Sequence, residues 1–340
     1  MVMDAMKKIL SGKTVLVTGG TGFLGRALVE ELLNYDVQSI RVFSRDELKH
    51  HEVQEKFEKN PRIRNLVGDV RDYDRLNEAV KGADIVIHAA AMKRIDLIEY
   101  NVAEAIKTNV IGTMNVARSC IENNVEKAVF VSTDKACSPV NSYGATKMLG
   151  ERVFIESNYS KGESKTALIS VRYGNVLEST GSVIPYFVDK IKKGEEIPLT
   201  DDRMTRFIIT PKRSVQLIFE AIEHGVGGEL FVPKLDSLSL VGLIDLLQEH
   251  YKGKSKVKTV GIRPGEKIHE ELLNAEECRR AFELNDNYVV LSQIDHYQKN
   301  VKYPYLNGKK PVGFSKYGSE DFVADKAKLK KLLENAKVLN

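Results

Sequence analysis

The chain has 340 residues, 42% hydrophobic and 29% charged, which is enough to bury one large core or two joined ones. The net charge of +4 is small and no Lys/Arg block is interleaved with aromatic residues, which argues against a nucleic-acid-binding protein. No run is apolar enough to span a membrane, the first residues lack the apolar core of a secretion signal, and three widely spaced cysteines suggest neither a disulfide framework nor a zinc site. We therefore expect a cytoplasmic protein with no membrane partner and no metal.

The first predicted element is a strand–turn–helix unit typical of dinucleotide binding. Residues 13–18 form a short β-branched strand, a glycine-rich turn follows, and residues 26–35 have helical periodicity. Glycines allow the tight turn and let backbone N–H groups approach a pyrophosphate. The predicted cofactor contacts in this unit are Gly19, Thr21, Gly22, Phe23, Leu24 and Gly25.

The end of the second predicted strand, residues 39–43, bears on the choice of cofactor. A carboxylate here binds the ribose 2′-hydroxyl of NAD, whereas Arg meets the 2′-phosphate of NADP. Ser44 and Arg45 stand at this position, with Lys49 a turn later, so we predict NADP. Asp46 lies a residue or two late for the NAD role, and Arg45 and Lys49 have the alternative of being plain surface charges.

A third strand is predicted at residues 63–67, and Asp69 and Val70 follow it as further cofactor-binding candidates. The Asp69 carboxylate suits the adenine amino group, but Asp is also a common helix N-cap. The sequence leaves both roles open.

The fourth predicted strand, residues 83–91, ends in small side chains that let a cofactor lie close: Ala89, Ala90 and Ala91. His88, inside this apolar run, is expected to be buried and neutral. Lys93 follows the strand and is a candidate for substrate phosphate or sugar, with a solvated loop charge as the alternative. A long helix is predicted over residues 101–124, in which the amide of Asn109 either bridges the active-site loop or is simply satisfied internally.

The central predicted strand, residues 128–131, is followed by the polar residue Thr133 and the ionisable residues Asp134 and Lys135. The carboxyl ends of strands are where open α/β sheets carry chemistry. A helix then opens with Tyr143 and Lys147, which are four apart and share a face. An ammonium beside a phenol favours the phenolate, which can act as a base.

Alternating strands and helices predict an α/β fold, a doubly wound, Rossmann-like parallel sheet with a smaller C-terminal substrate-binding domain. We predict the dinucleotide-binding domain at residues 1–175, with 211–226 returning to it, and the substrate-binding domain at 176–210 and 227–340. Within the latter, residues 182–193 and 324–337 are predicted helices and residues 198–207 a loop.

The assembled motifs resemble the extended short-chain dehydrogenase/reductase superfamily, and within it the inverting UDP-N-acetylglucosamine 4,6-dehydratases of pseudaminic-acid-type pathways. The matching strings include TGGTGFLG, GDVRD, HAAAMK, KTNVIGT, STDKA, NSYGATK, RMTRF and GIRPGEK. STDKA followed by YGATK is the most specific, because simple epimerases of the superfamily usually lack the acidic–Lys pair.

The resemblance implies a transient oxidation at C4, loss of water across C5–C6 and return of hydride to C6, with C5 inverted. Tyr143 takes the proton of the 4-hydroxyl, Lys147 lowers the pKa of Tyr143 and binds nicotinamide ribose, and Thr133 bonds the 4-oxygen. Lys135, if neutral, removes the C5 proton, and Asp134, if protonated, protonates the leaving hydroxyl. The sequence does not settle which of these two residues performs which transfer.

The resemblance also implies a UDP-sugar partner, held mainly by the C-terminal domain. The implied contacts are Arg206 on phosphate, Arg263 and Glu266 near the ribose, Asn175 near the diphosphate–sugar link, and Thr200 and Met204 beside them. It implies a homo-oligomer as well. Three other functions stay open: a UDP-sugar 4-epimerase, a non-catalytic NADP-binding regulator, and a general alcohol dehydrogenase.

Overall fold

The computed structural model describes residues 2–177, 183–294, 301–336, 338 and 339. Its strands are β1 (Thr14–Thr18), β2 (Ser39–Ser44), β3 (Ile63–Val67), β4 (Ile85–His88), β5 (Lys127–Val131), β6 (Ala167–Val171), β7 (Asn175–Val176), β8 (Ile197–Leu199), β9 (Thr205–Ile209), β10 (Leu230–Pro233), β11 (Ser237–Ser239), β12 (Val257–Thr259), β13 (Glu271–Leu273), β14 (Ala281–Leu284), β15 (Asn287–Val290) and β16 (Tyr317–Gly318).

Its helices are α1 (Val2–Leu10), α2 (Phe23–Leu32), α3 (Glu47–Lys56), α4 (Tyr73–Val80), α5 (Ile95–Tyr100), α6 (Val102–Ala105), α7 (Gly112–Glu122), α8 (Ser142–Ser160), α9 (Val183–Lys193), α10 (Pro211–His224), α11 (Leu240–His250), α12 (Ala275–Cys278) and α13 (Lys326–Asn335). A π-helical segment, Ile106–Ile111, joins α6 to α7, and a 3₁₀ turn covers Asp134–Ala136. Ser182 and Lys337, the outer ends of two predicted helices, lie outside the described residues.

The largest sheet within the described residues has nine strands in the order β14-β15-β10-β6-β5-β4-β1-β2-β3. The seven strands from β10 to β3 are parallel to one another. At the other end of the sheet, β15 pairs antiparallel with β10, and β14 pairs antiparallel with β15. Strands β1, β4 and β6 are buried along their whole length, because helices cover both faces. Helices α1, α2 and α10 pack on one face and α4, α7 and α8 on the other, which confirms the predicted doubly wound sheet.

The large sheet extends beyond the boundary predicted at residue 175. Strands β10, β14 and β15 belong to it, although the sequence analysis placed residues 227–340 in the smaller domain. The reason is that the edge of β6 needs hydrogen-bonding partners, and β10 supplies them with Leu230 opposite Ser170. Residues 198–207 also differ from the predicted loop, since β9 begins at Thr205 and pairs with β7 and β11.

A second hydrophobic core lies outside the large sheet. It is formed by α9, α11 and α13 together with β8 and β9, and it contains Leu199, Met204, Leu243, Leu247 and Leu333. No helix among the described residues combines the length and the apolar character needed to cross a bilayer.

A buried ion cluster joins these parts of the chain. The Arg172 side chain, which is 1% exposed, donates to both carboxylate oxygens of Glu151 (3.0 and 2.7 Å) and of Glu277 (2.8 Å each). It also donates to the carbonyl of Leu272 at 2.8 Å. Burial raises the pKa of Glu277, but the charge and hydrogen bonds of Arg172 outweigh burial and lower it to about 2.

We predict that Arg172→Met lowers the free energy of unfolding by about 3–5 kcal/mol, because two buried carboxylates lose their counter-ion. Chemical denaturation at neutral pH measures the loss. The control is Arg94→Met, which breaks an exposed pair with Asp96 and should leave the transition midpoint almost unchanged. Similar losses in both variants would contradict the role of the cluster.

Candidate active site

The glycine-rich turn after β1 lies tightly against its neighbours. Gly19 has a φ of +69°, and a Cβ there would lie 2.8 Å from the Ala90 nitrogen, at the end of β4. A Cβ on Gly25 would collide with the carbonyl oxygen of Gly19. The turn therefore forms a cradle bounded by α2 and by the Ala89–Ala91 segment, which brings these predicted cofactor residues together.

The amino end of α2 is open to an anion. Its N-cap, Gly22, supplies no side-chain cap, and no acidic residue stands in the first turn, which begins with Phe23 and Leu24. Free amides and the positive end of a helix dipole favour a phosphate group. The cradle and this helix end therefore fit a dinucleotide pyrophosphate.

The tip of β2 carries the residues predicted to choose between NAD and NADP. The hydroxyls of Thr21 and Ser44 are 2.7 Å apart, and the Arg45 side chain is 57% exposed. The Asp46 carboxylate accepts from the backbone N–H of Lys49 at 3.1 Å and so caps α3. That carboxylate is thus engaged in a cap, whereas Arg45 is the exposed cation at the tip and its Nη1 lies 3.5 Å from Asp69 Oδ2.

Asp69 is not the N-cap of α4, since Asp72 has that role. The Asp69 carboxylate accepts instead from the Arg71 guanidinium at 2.7 Å. Val70 is buried and its carbonyl accepts from the Asn115 amide at 2.9 Å. The adenine role of Asp69 stays a prediction.

The buried His88 links β1, β4 and α7. Its Nδ1 is 2.6 Å from the Thr18 hydroxyl and its Nε2 is 3.0 Å from that of Thr113. Thr113 donates its own proton to the Asn109 carbonyl at 2.6 Å, so Nε2 carries the imidazole proton and Nδ1 accepts from Thr18. Burial and the charge of Lys147 lower the His88 pKa to about 3, so this histidine is neutral as expected.

Asn109 stands in the π-helical segment and bridges two parts of the site. Its carboxamide accepts from the Met92 nitrogen (2.8 Å) and donates to the Met92 carbonyl (3.0 Å) and the Thr146 hydroxyl (3.0 Å). The Asn109 side chain therefore connects the loop after β4 to α8. This confirms the bridging role over the alternative, in which its hydrogen bonds are only made within its own helix.

The residues after β5 form a compact polar group. Asp134 Oδ1 accepts from the Thr133 hydroxyl at 2.9 Å and from Lys135 Nζ at 3.1 Å. Lys135 Nζ also donates to Asn175 Oδ1 at 3.2 Å. Asp134 is fully buried, and its Oδ2 has no hydrogen-bond partner among the described residues.

Tyr143 joins this group from the first turn of α8. Burial raises its pKa to about 12, while the charge of Lys135 and a hydrogen bond with Thr133 act in the opposite direction. Burial lowers the pKa of Lys147 to about 7, and its Nζ lies 4.0 Å from the Phe130 ring centre. The charge of Lys135 thus opposes the rise at Tyr143. The predicted role of Lys147 in lowering the pKa of Tyr143 stays a prediction.

Glu270 completes the group and was missed by the sequence analysis. Its buried carboxylate lies 3.8 Å from Lys135 Nζ, 3.9 Å from Arg206 Nε and 3.7 Å from Lys267 Nζ. It stands four residues beyond Glu266, in the same segment as the predicted Arg-Pro-Gly-Glu turn, but no spacing rule singles it out.

The predicted substrate residues are brought together only in part. Arg206 is largely buried and donates to the carbonyls of Thr205 (2.7 Å) and Ile268 (3.0 Å), and Met204 beneath it is buried. Arg263 and Lys93 are exposed, and Thr200 and Glu266 are half-buried.

The Arg-Pro-Gly-Glu turn is fastened to the amino end of α8. Asn141, the N-cap of α8, accepts from the Gly144 nitrogen and donates to the Gly265 carbonyl at 2.8 Å. Lys267 Nζ donates to the Cys137 carbonyl at 2.6 Å. The turn that carries Arg263 and Glu266 thus sits beside Tyr143.

Comparisons with known proteins show which proteins the chain is similar to. A family model described as "Polysaccharide biosynthesis protein" matches residues 15–292. The chain is similar, at 42% identity, to a Campylobacter jejuni protein named UDP-N-acetylglucosamine 4,6-dehydratase (inverting), over 84% of this chain and 85% of that protein. It is also similar, at 38% identity, to a Rickettsia massiliae protein named UDP-glucose 4-epimerase, over 96% and 95%.

A solved structure shares the fold. The X-ray structure of Pen from Bacillus thuringiensis matches with a TM-score of 0.89 at 39% identity. The match covers 97% of this chain and 99% of that one.

We predict that Gly19→Ala abolishes binding of the dinucleotide, because a Cβ there displaces the end of β4 as well as straining the backbone. The control is Gly12→Ala, where φ is +70° but no atom lies within 4 Å of the added Cβ. Both variants should lose about 1–2 kcal/mol of stability from the left-handed conformation. Calorimetric titration with NAD⁺ and NADP⁺ separates them, and equal loss of binding in both would contradict the cradle.

Proposed function

The chain belongs to the polysaccharide biosynthesis protein family, and we propose that it is an NADP-dependent UDP-N-acetylglucosamine 4,6-dehydratase that inverts C5. The observation that carries the proposal is the contact of Asp134 with Lys135, 3.1 Å apart, beside Thr133 and Tyr143. Elimination of water needs an acid and a base at adjacent carbons, and a simple oxidation does not. The 42% identity to the Campylobacter dehydratase supports the same reaction.

The residues divide the proposed reaction between them. Tyr143 takes the proton from the sugar's 4-hydroxyl, and Thr133, in contact with Tyr143, holds the 4-oxygen. A nicotinamide dinucleotide, when bound, supplies the hydride chemistry by accepting hydride from C4 and returning it to C6. The new ketone acidifies the C5 proton, and Asp134 and Lys135 then serve as the acid–base pair that removes this proton and protonates the departing 6-hydroxyl.

Tyr143 is protonated at neutral pH in the free protein, because its pKa is raised to about 12. Loss of its proton during the oxidation therefore depends on nearby positive charge. Lys135 supplies such charge in the structure, and Lys147, whose pKa is lowered to about 7, is partly protonated near neutrality. Lys147 keeps its proposed second role, as a contact of the nicotinamide ribose.

The UDP moiety is proposed to lie along the Arg-Pro-Gly-Glu turn. Arg263 is exposed there, and Glu266 is close by in the same turn, which Asn141 holds beside α8. The planar guanidinium of Arg carries a fixed positive charge and can donate two hydrogen bonds to a phosphate group, which suits a nucleotide. The other residues proposed to contact the UDP-sugar are Lys93, Asn175, Thr200, Met204 and Arg206.

The first experiment is incubation of the protein with UDP-N-acetylglucosamine in D₂O, followed by NMR. A 4-keto-6-deoxy product with deuterium at an inverted C5 supports the dehydratase. A second candidate function is 4-epimerisation, which the name of the Rickettsia relative favours, and it would give a 4-epimer that keeps the 6-hydroxyl.

We predict that Tyr143→Phe lowers kcat by about 10²–10⁴-fold, the range in which general acid–base groups contribute. Dinucleotide affinity should change little, because the glycine cradle is intact. Tyr100→Phe, at a 93% exposed position, is the control and should keep full activity. Full activity of Tyr143→Phe would exclude the proposed base.

For the cofactor, we predict that Arg45→Ala weakens NADP⁺ binding about 10- to 100-fold, as expected for loss of a charge-assisted hydrogen bond of 1.5–3 kcal/mol. NAD⁺ binding should stay within twofold, since NAD⁺ has no 2′-phosphate. Lys56→Ala, an exposed cation near the other end of α3, is the control for net charge. A preference for NAD⁺ in the unmodified protein would overturn the proposed specificity.

A further inference from the structure

The two halves of the candidate site stand on different elements of the fold. The predicted dinucleotide cradle lies at the ends of β1 and β4, where Gly19 faces Ala90. Tyr143 lies in the first turn of α8, which residues 132–141 separate from β5. Transfer of hydride between the dinucleotide and a sugar beside Tyr143 needs these halves at a set distance, since a misplacement of about 1 Å can cost about 10²-fold in rate. The position of the first turn of α8 relative to the cradle is therefore a determinant of rate.

A chain of buried hydrogen bonds starts at the cradle. The Ala90 N–H donates to the Thr18 hydroxyl at 3.3 Å, and the same hydroxyl lies 2.6 Å from His88 Nδ1. Because Nε2 carries the imidazole proton, Thr18 donates its own proton to Nδ1. The side chains of Thr18 and His88 are both buried, so this first part of the chain is closed to water.

The chain continues from His88 into the helix that contains the π turn. His88 Nε2–H donates to the Thr113 hydroxyl at 3.0 Å, and Thr113 donates to the Asn109 carbonyl at 2.6 Å. Thr113 has a single hydroxyl proton, so its oxygen accepts from His88 while the proton goes to Asn109. Both nitrogens of the imidazole are therefore held by a hydroxyl.

The chain ends on the backbone of the residue proposed as the base. The Asn109 carboxamide donates to the Thr146 hydroxyl at 3.0 Å, and Thr146 donates to the Tyr143 carbonyl at 2.8 Å. Each of the three hydroxyls in the chain accepts from one neighbour and donates to the next. The chain thus connects the Ala90 nitrogen, at the cradle, to the first turn of α8.

Packing alone does not explain a histidine at position 88. The other residues of β4 are isoleucine and valine, and the His88 ring packs against Phe130 with the ring centres 5.6 Å apart, as an apolar ring would also do. A buried polar network is costly unless every member is satisfied, and a satisfied one rigidifies the elements that it joins. Burial and the charge of Lys147 lower the His88 pKa to about 3, so the imidazole stays neutral and keeps both partners near neutral pH.

We propose that His88 and Thr113 are positioning residues, which set the distance between the dinucleotide cradle and Tyr143 through this chain of hydrogen bonds. Both side chains are buried, so they act through Asn109 and Thr146 and do not meet the sugar. The inference rests on the proposed role of Tyr143 as a base toward the 4-hydroxyl. It applies equally to dehydration and to 4-epimerisation, because both begin with oxidation at C4.

The test is Thr113→Val, which keeps the shape of the side chain and removes the hydroxyl. We expect kcat with UDP-N-acetylglucosamine to fall about 10- to 100-fold, because the first turn of α8 loses its fixed position. KM and dinucleotide affinity should stay within about twofold, since an intact cradle and an intact sugar site leave binding unchanged. Thr113→Ser keeps the hydroxyl and should restore most of the activity.

The control is Thr166→Val, which removes a hydroxyl that is as deeply buried and donates to the Cys120 carbonyl at 3.3 Å. This hydroxyl lies outside the chain, so its loss should lower stability while kcat stays unchanged. Equal falls in kcat in Thr113→Val and Thr166→Val would overturn the inference.

A double-variant cycle tests whether His88 and Thr113 act through one chain. His88→Phe keeps the aromatic packing against Phe130, removes both ring nitrogens and should lower kcat by a similar factor. Once the chain is cut at Thr113, a second cut at His88 should add little, so the double variant should match the more damaging single variant. Falls that multiply would show two independent effects and would overturn the shared chain.

A further measurement needs no sugar. In protein labelled with fluorotyrosine, the fluorine NMR signal of Tyr143 is assigned from its loss in Tyr143→Phe. Thr113→Val should shift or broaden this signal, whereas Thr113→Ser and Thr166→Val should leave it in place. An unmoved Tyr143 signal in Thr113→Val would overturn the inference. A signal that shifts as expected in a protein that does not turn over UDP-N-acetylglucosamine would support the inference and count against the proposed function.

Discussion

The guanidinium of Arg172 holds together three segments that each carry part of the site. Arg172 directly follows β6 and stands three residues before Asn175. Its partner Glu151 lies one turn after Lys147 on α8, and its partner Glu277 closes the segment that begins with Glu270. The two carboxylates are separated from Arg172 by 21 and 105 residues in the chain. A buried cation with two fixed partners permits few alternative arrangements of these segments. In some other proteins, too, buried ionic groups specify one conformation.

The parts of the site that could be predicted from the sequence depend on residues that lie close together in the chain. The turn at Gly19 stands between a strand and the helix that directly follows it, and Tyr143 and Lys147 are four residues apart on one helix, so spacing alone reveals both. Asn109 was found because an amide is unusual inside a helix. The doubly wound sheet followed from the alternation of elements.

The parts that could not be predicted depend on contacts between distant residues. Glu270 meets Lys135 across more than a hundred positions, and its own segment carries no pattern that marks it. The addition of β10, β14 and β15 to the large sheet could not be predicted for the same reason. The edge on which a strand pairs depends on which strands are exposed in the folded sheet, and the strand's own residues do not reveal it. The charge state of Lys135 is likewise a property of its surroundings, which is why the sequence left the acid and base unassigned.

The π-helical segment at Ile106–Ile111 has a consequence for how this chain tolerates change in length. A π turn contains one residue more than the α turn it replaces, and each residue in an α-helix adds about 100° of rotation. Deleting a single residue there would let the helix close into regular α geometry, with one α turn in place of one π turn, so the turns on either side would keep their rotation. The change would fall on the segment itself, where Asn109 would be displaced from Met92 and Thr146. The loop after β4 would then lose its attachment to α8. The extra residue therefore sets the position of Asn109, and neighbouring loops can vary in length where this segment cannot.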